Sequence, residues 1–153
     1  MNDAEAKKKT TEVLEKVKQI GNMAGYELHL HDDGDMLVAP FDMGEGRTQA
    51  VYIRHAGSTP ADQDVVAFLS PCLELKKGFM KGMGKSQALD ILRRNSALLF
   101  GQFGLYDFGN VEVLMSSSCQ ILETMEVEEF EAHLNCVAMV ADSYEIEIGQ
   151  DDF

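Results

Sequence analysis

A chain of 153 residues, 45% of them hydrophobic, is long enough to bury roughly 68–70% of the surface its unfolded form exposes, so it needs no disulfide or metal staple and fits one domain, residues 1–153. The formal net charge of −13 is unevenly spread: residues 1–94 hold all 13 Lys and Arg with 14 Asp and Glu, while residues 95–153 hold 12 acids and neither Lys nor Arg. Acidity of this kind keeps a protein soluble, argues against nucleic acid as a partner and favours a basic protein segment, while the charged N-terminus and the lack of any bilayer-length apolar run predict a cytoplasmic protein with no membrane contact.

From Ala4 to Ala24, apolar residues at Val13, Leu14, Val17, Ile20 and Ala24 predict an amphipathic helix, loosened by Gly21 and ended by Gly25. Tyr26 to His31 alternates as a half-buried strand, with Leu28 and Leu30 on one face and His29 and His31 on the other. Asp32-Asp33-Gly34-Asp35 is turn chemistry, and Met36 to Phe41 resumes as a strand, so a hairpin is expected. Gly44-Glu45-Gly46 turns the chain into a third strand, Arg47 to His55. Val65 to Leu69 is apolar on both sides, which suits a central strand, and Pro71 is expected to limit it.

Residues 76–85, with three glycines and four lysines, show no periodicity and predict a mobile basic loop. Ser86 is the expected N-cap of a helix carrying Leu89, Ile91, Leu92, Leu98 and Leu99, with Arg93 and Arg94 outward, that ends at Gly101. Phe103 and Leu105 belong to a following strand, Val111 to Met115 to another, and Ser116-Ser117-Ser118 reads as a polar link. The last helix has the strongest periodicity, through Val127, Phe130, Leu134, Val137, Ala141 and Tyr144, with Thr124 as its expected N-cap. The expected order is α-β-β-β-β-α-β-β-α, an α+β fold with an antiparallel sheet flanked by helices.

No motif carries chemistry. Gly84-Lys85-Ser86 has the ending of a phosphate-binding loop, but the required first glycine falls on Phe79. A weaker attraction of an anion to Lys85, Ser86 and the free N–H groups of that helix start remains, and with it an alternative reading as a small-molecule or anion-binding sensory domain. His29 and His31, two apart on a strand, have a spacing that can bind zinc or copper with Asp33 or Asp35 in reach; further ligands are not identifiable and no metal site is assigned. Cys72, Cys119 and Cys136 are odd in number, match no zinc spacing and read as reduced thiols; none has an identified basic partner, the serines occupy no nucleophile elbow, and His133 is expected at the surface or rim. Asn95, polar on an apolar helix face, is expected to bond backbone where the helix meets the next strand. The chain is therefore read as a non-enzyme with no cofactor.

The run Ile91 to Asn95, then Leu98 to Leu105, then Val111 to Leu114, then Glu128 to Tyr144 resembles the type III secretion chaperone-like superfamily, including YbjN-like bacterial proteins. Leu92, Asn95, Gly101, Gly104, Leu105, Phe130 and Tyr144 fill the places of its leucine-bearing helix, glycine-framed strand pair and closing helix. The resemblance implies that fold and a chaperone-like or regulatory homodimer holding a partner segment on apolar surface. The basic loop and an extra strand depart from it, which puts a secretion client specifically in doubt. Tyr52, Phe68, Phe79, Met80 and Met83 are the apolar residues expected to meet that partner.

Overall fold

The computed structural model describes residues 3–76 and 82–149. Helix α1 (Asp3–Met23) leads into β1 (His29–Leu30), β2 (Met36–Gly44), β3 (Arg47–Ser58) and β4 (Asp64–Lys76). Helix α2 (Lys85–Asn95), β5 (Gln102–Asp107), β6 (Val111–Ile121), a 3-10 turn (Leu122–Thr124) and α3 (Val127–Ile148) complete the order. The expected α+β order is the observed one. All six strands form one antiparallel sheet in the order β1-β2-β3-β4-β6-β5.

The register places Leu37, Ile53, Phe68 and Ser118 on one face of the sheet and Val38, Tyr52, Leu69 and Ser117 on the other. The first face takes all three helices. Val13, Leu14 and Val17 of α1 and Phe130, Leu134 and Val137 of α3 pack on Leu37, Val51, Ile53, Val66 and Phe68, all almost fully buried. Phe130 stands edge-on to Phe68 at 5.7 Å and to Tyr26 at 6.0 Å, so one ring joins the sheet, α3 and the chain leaving α1. Gly21 permits this approach, because a Cβ there would lie 2.5 Å from Leu28 Cδ1 and 3.3 Å from Phe130 Cζ. Ile91 of α2 completes a second cluster with Phe103, Leu114 and Tyr144.

Pro71 does not end its strand. It ends the β3–β4 ladder, whose last pair is Tyr52↔Leu69, while β4 runs on beside β6 past an irregularity between Pro71 and Leu73. Where Pro71 offers no N–H, side chains close the gap: Ser70 Oγ donates to Ala50 O at 2.9 Å and Gln49 Nε2 to Pro71 O at 3.4 Å. Gln49 Nε2 also donates to Glu145 Oε2 of α3 at 2.6 Å, and Arg47 reaches Asp142 Oδ1 (2.8 Å) and Glu145 Oε2 (3.6 Å). Glu145 is 0% exposed, so this group of β3 and α3 side chains holds a carboxylate inside the core.

Several local expectations change. Ser116 to Ser118 lie within β6, because each hydroxyl finds a partner: Gly101 O, Gln102 O and the His133 ring. Helix α2 starts at Lys85 after Gly84, without a side-chain cap, and stops at Asn95. Arg94 turns toward α3 rather than outward, bonding Glu147 through both terminal nitrogens and lying over the Tyr144 ring. Helix α3 is capped by Glu126 in a reciprocal box with Glu129, not by Thr124. Asn95 does bond backbone as expected, donating to Phe103 O at 3.0 Å and accepting from Phe103 N at 2.7 Å, which satisfies both outward groups of that residue on edge strand β5.

Arg47→Met should leave Asp142 and Glu145 uncompensated and lower unfolding stability by about 3–5 kcal/mol in urea titration. Asn95→Ala, which orphans the Phe103 amide and carbonyl, should cost about 1–3 kcal/mol in the same assay.

Candidate functional site

Among the described residues no helix lies on the second face of the sheet. It nevertheless presents a strip of apolar side chains across the central strands: Tyr52 on β3, Leu69 and Pro71 on β4, Val113 and Met115 on β6, Tyr106 on β5. Leu69, Val113 and Met115 are only 6–7% exposed although no helix covers them. They pack on one another, with Tyr52, Tyr106 and Val111 against them. The β1–β2 hairpin brings His31, Asp33 and Asp35 to a groove of about 600 Å³, and the β5–β6 hairpin brings Asp107 and Phe108 to it. Three carboxylates and one guanidinium, Arg54, line this groove with the apolar strip as its floor.

The expected partner residues are scattered. Tyr52 lies in the groove, half-buried. Phe68, next along β4 from Ala67 and Leu69, points to the helical layer at 0% exposure and cannot meet a partner there. Met83 packs against the second core cluster near α2, and Phe79 and Met80 lie outside the described residues. Lys85 and Ser86 are exposed in the first turn of α2, away from the groove lining. Leu69, Met115, Val113 and Tyr106 were missed because an apolar residue on a strand carries no mark of which face is covered; the alternation of Val113 and Met115 with Leu114 was the available signal.

His29 and His31 do not act together. His29 sits 3.9 Å from Glu27, while His31 Nδ1 accepts from Asp33 N at 3.4 Å and its ring stands edge-on to Tyr52 at 6.4 Å. Strand β1 is only two residues long, and Leu30 is 58% exposed rather than packed beside Leu28.

Three other polar clusters belong to the helix-covered side. Asp64 accepts from Lys9 of α1 (2.9 Å) and Ser58 (3.3 Å) and contacts His55 Nε2 (3.2 Å). Burial pushes its carboxyl up, but the hydrogen bond and charge of Lys9, with His55 and Ser58, outweigh this and hold it below the ordinary value. This is a clasp between α1 and the β3–β4 end. Cys72 is buried with its thiol pushed up to about 12 by desolvation and the Glu145 charge, which makes it inert, and Cys119 and Cys136 are also free thiols.

His133, expected at the surface, is 6% exposed. It stacks on Phe68 at 5.5 Å, meets the Phe100 edge at 4.8 Å and shares a short hydrogen bond with Ser118 Oγ through Nδ1. Desolvation lowers its pKa, opposed by the Glu129 charge. The Ser118–His133 pair is therefore wrapped in aromatic core, outside the groove lining, and serves packing.

No protein-family model and no curated protein matches the chain. Among solved structures it is similar to the type III secretion chaperone SycH of Yersinia pestis, crystallised in complex with a stable fragment of YscM2. The likeness covers 86% of this chain and 98% of that one at 16% identity, with a TM-score of 0.45. Among the described residues no helix is long and apolar enough to cross a membrane.

His133 makes stability depend on pH. Its folded pKa lies below the unfolded value of 6.5, so the contribution of the neutral ring is full above pH 6.5 and is lost as pH falls through the folded pKa. Melting temperature should drop as pH is lowered from about 7 to 5, and scanning calorimetry should find a smaller drop in His133→Gln.

Proposed function

We propose that the chain is a non-enzymatic, chaperone-like or regulatory protein-binding domain that holds a partner segment in the groove of the uncovered sheet face. One observation carries the reading: a groove of about 600 Å³ whose apolar floor includes Tyr52, Leu69 and Met115, between hairpins that bear Asp33, Asp35 and Asp107. An apolar floor takes the apolar side chains of a segment, and acidic walls select one with basic flanks. A chaperone of the secretion or YbjN-like kind suits this arrangement, as does a bacterial, cytoplasmic setting.

A homodimer fits the same reading. Helix α2 and the link after it leave Leu92 64% and Leu99 89% exposed, a cost in water that a second copy would remove. Leu92→Asp with Leu99→Asp should convert a dimer to a monomer in light scattering; a wild type already monomeric would remove the dimer from the proposal.

The groove is tested by selecting displayed peptides on the purified protein. Recovered sequences should combine apolar residues with Lys or Arg, and Tyr52→Glu or Tyr106→Glu should weaken them at least about tenfold, the effect expected for an aromatic anchor. Lys85→Ala should leave them unchanged. Peptides that bind Tyr52→Glu and Tyr106→Glu as tightly as the wild type would place the site elsewhere.

A further inference from the structure

The β1–β2 turn holds chemistry that a peptide groove does not require. His31, Asp33 and Asp35 alternate along the chain, and one ligand-capable atom from each lies within 4.8 Å of the others. The backbone sets this up. His31 N–H donates to Met36 O at 2.9 Å and Gly34 N–H to His31 O at 2.8 Å, and Gly34 takes a φ of +72°, which folds Asp33 and Asp35 back over the histidine. The Nδ1 lone pair points into the turn, facing Asp33 N at 3.4 Å and Asp33 Oδ2 at 3.6 Å.

Two further observations bear on what this turn is for. Among the described residues neither Asp33 nor Asp35 pairs with a lysine or arginine, and Asp32 adds a third carboxylate to the same tip. The tip is acidic in a chain already at −13, with Arg54 the guanidinium that lines the same groove. The imidazole is also held from outside the turn, edge-on to Tyr52 of β3 at 6.4 Å, so one donor is positioned by the sheet.

We propose that His31, Asp33 and Asp35 form a binding site for a first-row divalent transition ion at the rim of the groove. One imidazole nitrogen and two carboxylate oxygens suit zinc or manganese better than calcium, whose sites are built from oxygen alone. With metal–ligand bonds of about 2.0–2.2 Å, donors around a tetrahedral ion stand about 3.4 Å apart, so closure draws the exposed carboxylates inward by about an ångström or more from a spread of up to 4.8 Å. All three residues line the groove, so the remaining coordination positions open toward whatever occupies it. The ion would also brace β1, whose pairing to β2 consists of His29↔Val38 and Leu30↔Leu37.

The test uses the full chain in a non-chelating buffer with zinc chloride and, separately, manganese chloride. Calorimetry should show one zinc per chain. Amide NMR should show zinc shifts, and manganese broadening, confined to the neighbourhood of residues 29–36 and the facing Tyr52. His31→Gln, Asp33→Asn and Asp35→Asn change exposed or half-exposed side chains and should keep the fold. Each removes a ligand and should weaken zinc by at least the roughly 10–100-fold that loss of an outer-shell partner costs. His29→Gln, outside the donor set, should change nothing. Absence of binding, equal binding by His31→Gln, or calcium binding as tight as zinc would overturn the proposal. Peptide selection on the groove can succeed or fail independently of each of these results.

Discussion

The fold depends on how the gap at Pro71 is filled. A central strand without an N–H would leave the sheet open between β3 and β4; Ser70 and Gln49 close it with side-chain hydrogen bonds, and Gln49 and Arg47 go on to bond Glu145 and Asp142 of α3. A buried carboxylate is costly unless paired, so this group ties α3 to β3 in a single position. Once α3 is placed, Phe130 and Phe68 set the central core, α1 closes over one end and α2 over the other, and every helix lies on the same side.

One-sided packing leaves the opposite face to be managed without a helix. Leu69, Val113 and Met115 bury one another there with Tyr52, Tyr106 and Val111, and a groove lies over them between the outer hairpins. The groove is the surface that the proposed partner would meet. The acids on the hairpins give the groove a sign. The turn of the β1–β2 hairpin adds a metal-ligating donor set at the rim, on the element with the fewest backbone pairs.

The polar groups that look chemical in sequence divide by burial. His133, Ser118, Cys72, Asp64 and Glu145 are each tied into packing or a clasp on the helix-covered side, and their protonation preferences follow from desolvation and near charges. His31, Asp33 and Asp35 are solvated, and only they among these converge on a shared point beside a cavity.

Element order was legible in the chain because hydrophobic period and turn chemistry are local: the α3 spacing, the Gly-bearing turns and the strand alternation each act within a few residues. The role of Asn95 was legible for the same reason, since its partner Phe103 is eight residues away. What remained hidden was set by distant partners. Ser116 to Ser118 look like a link until Gly101, Gln102 and His133 satisfy their hydroxyls, and Pro71 looks like a stop until Gln49 and Ser70 bridge it. Phe68 and Leu69 are equally apolar, and only the side on which α3 packs makes the first core and the second groove. Sequence alone decided the order and type of the elements; tertiary packing decided how far the strands run and which sheet face is covered, because a two-residue alternation presents two faces and carries no label for either.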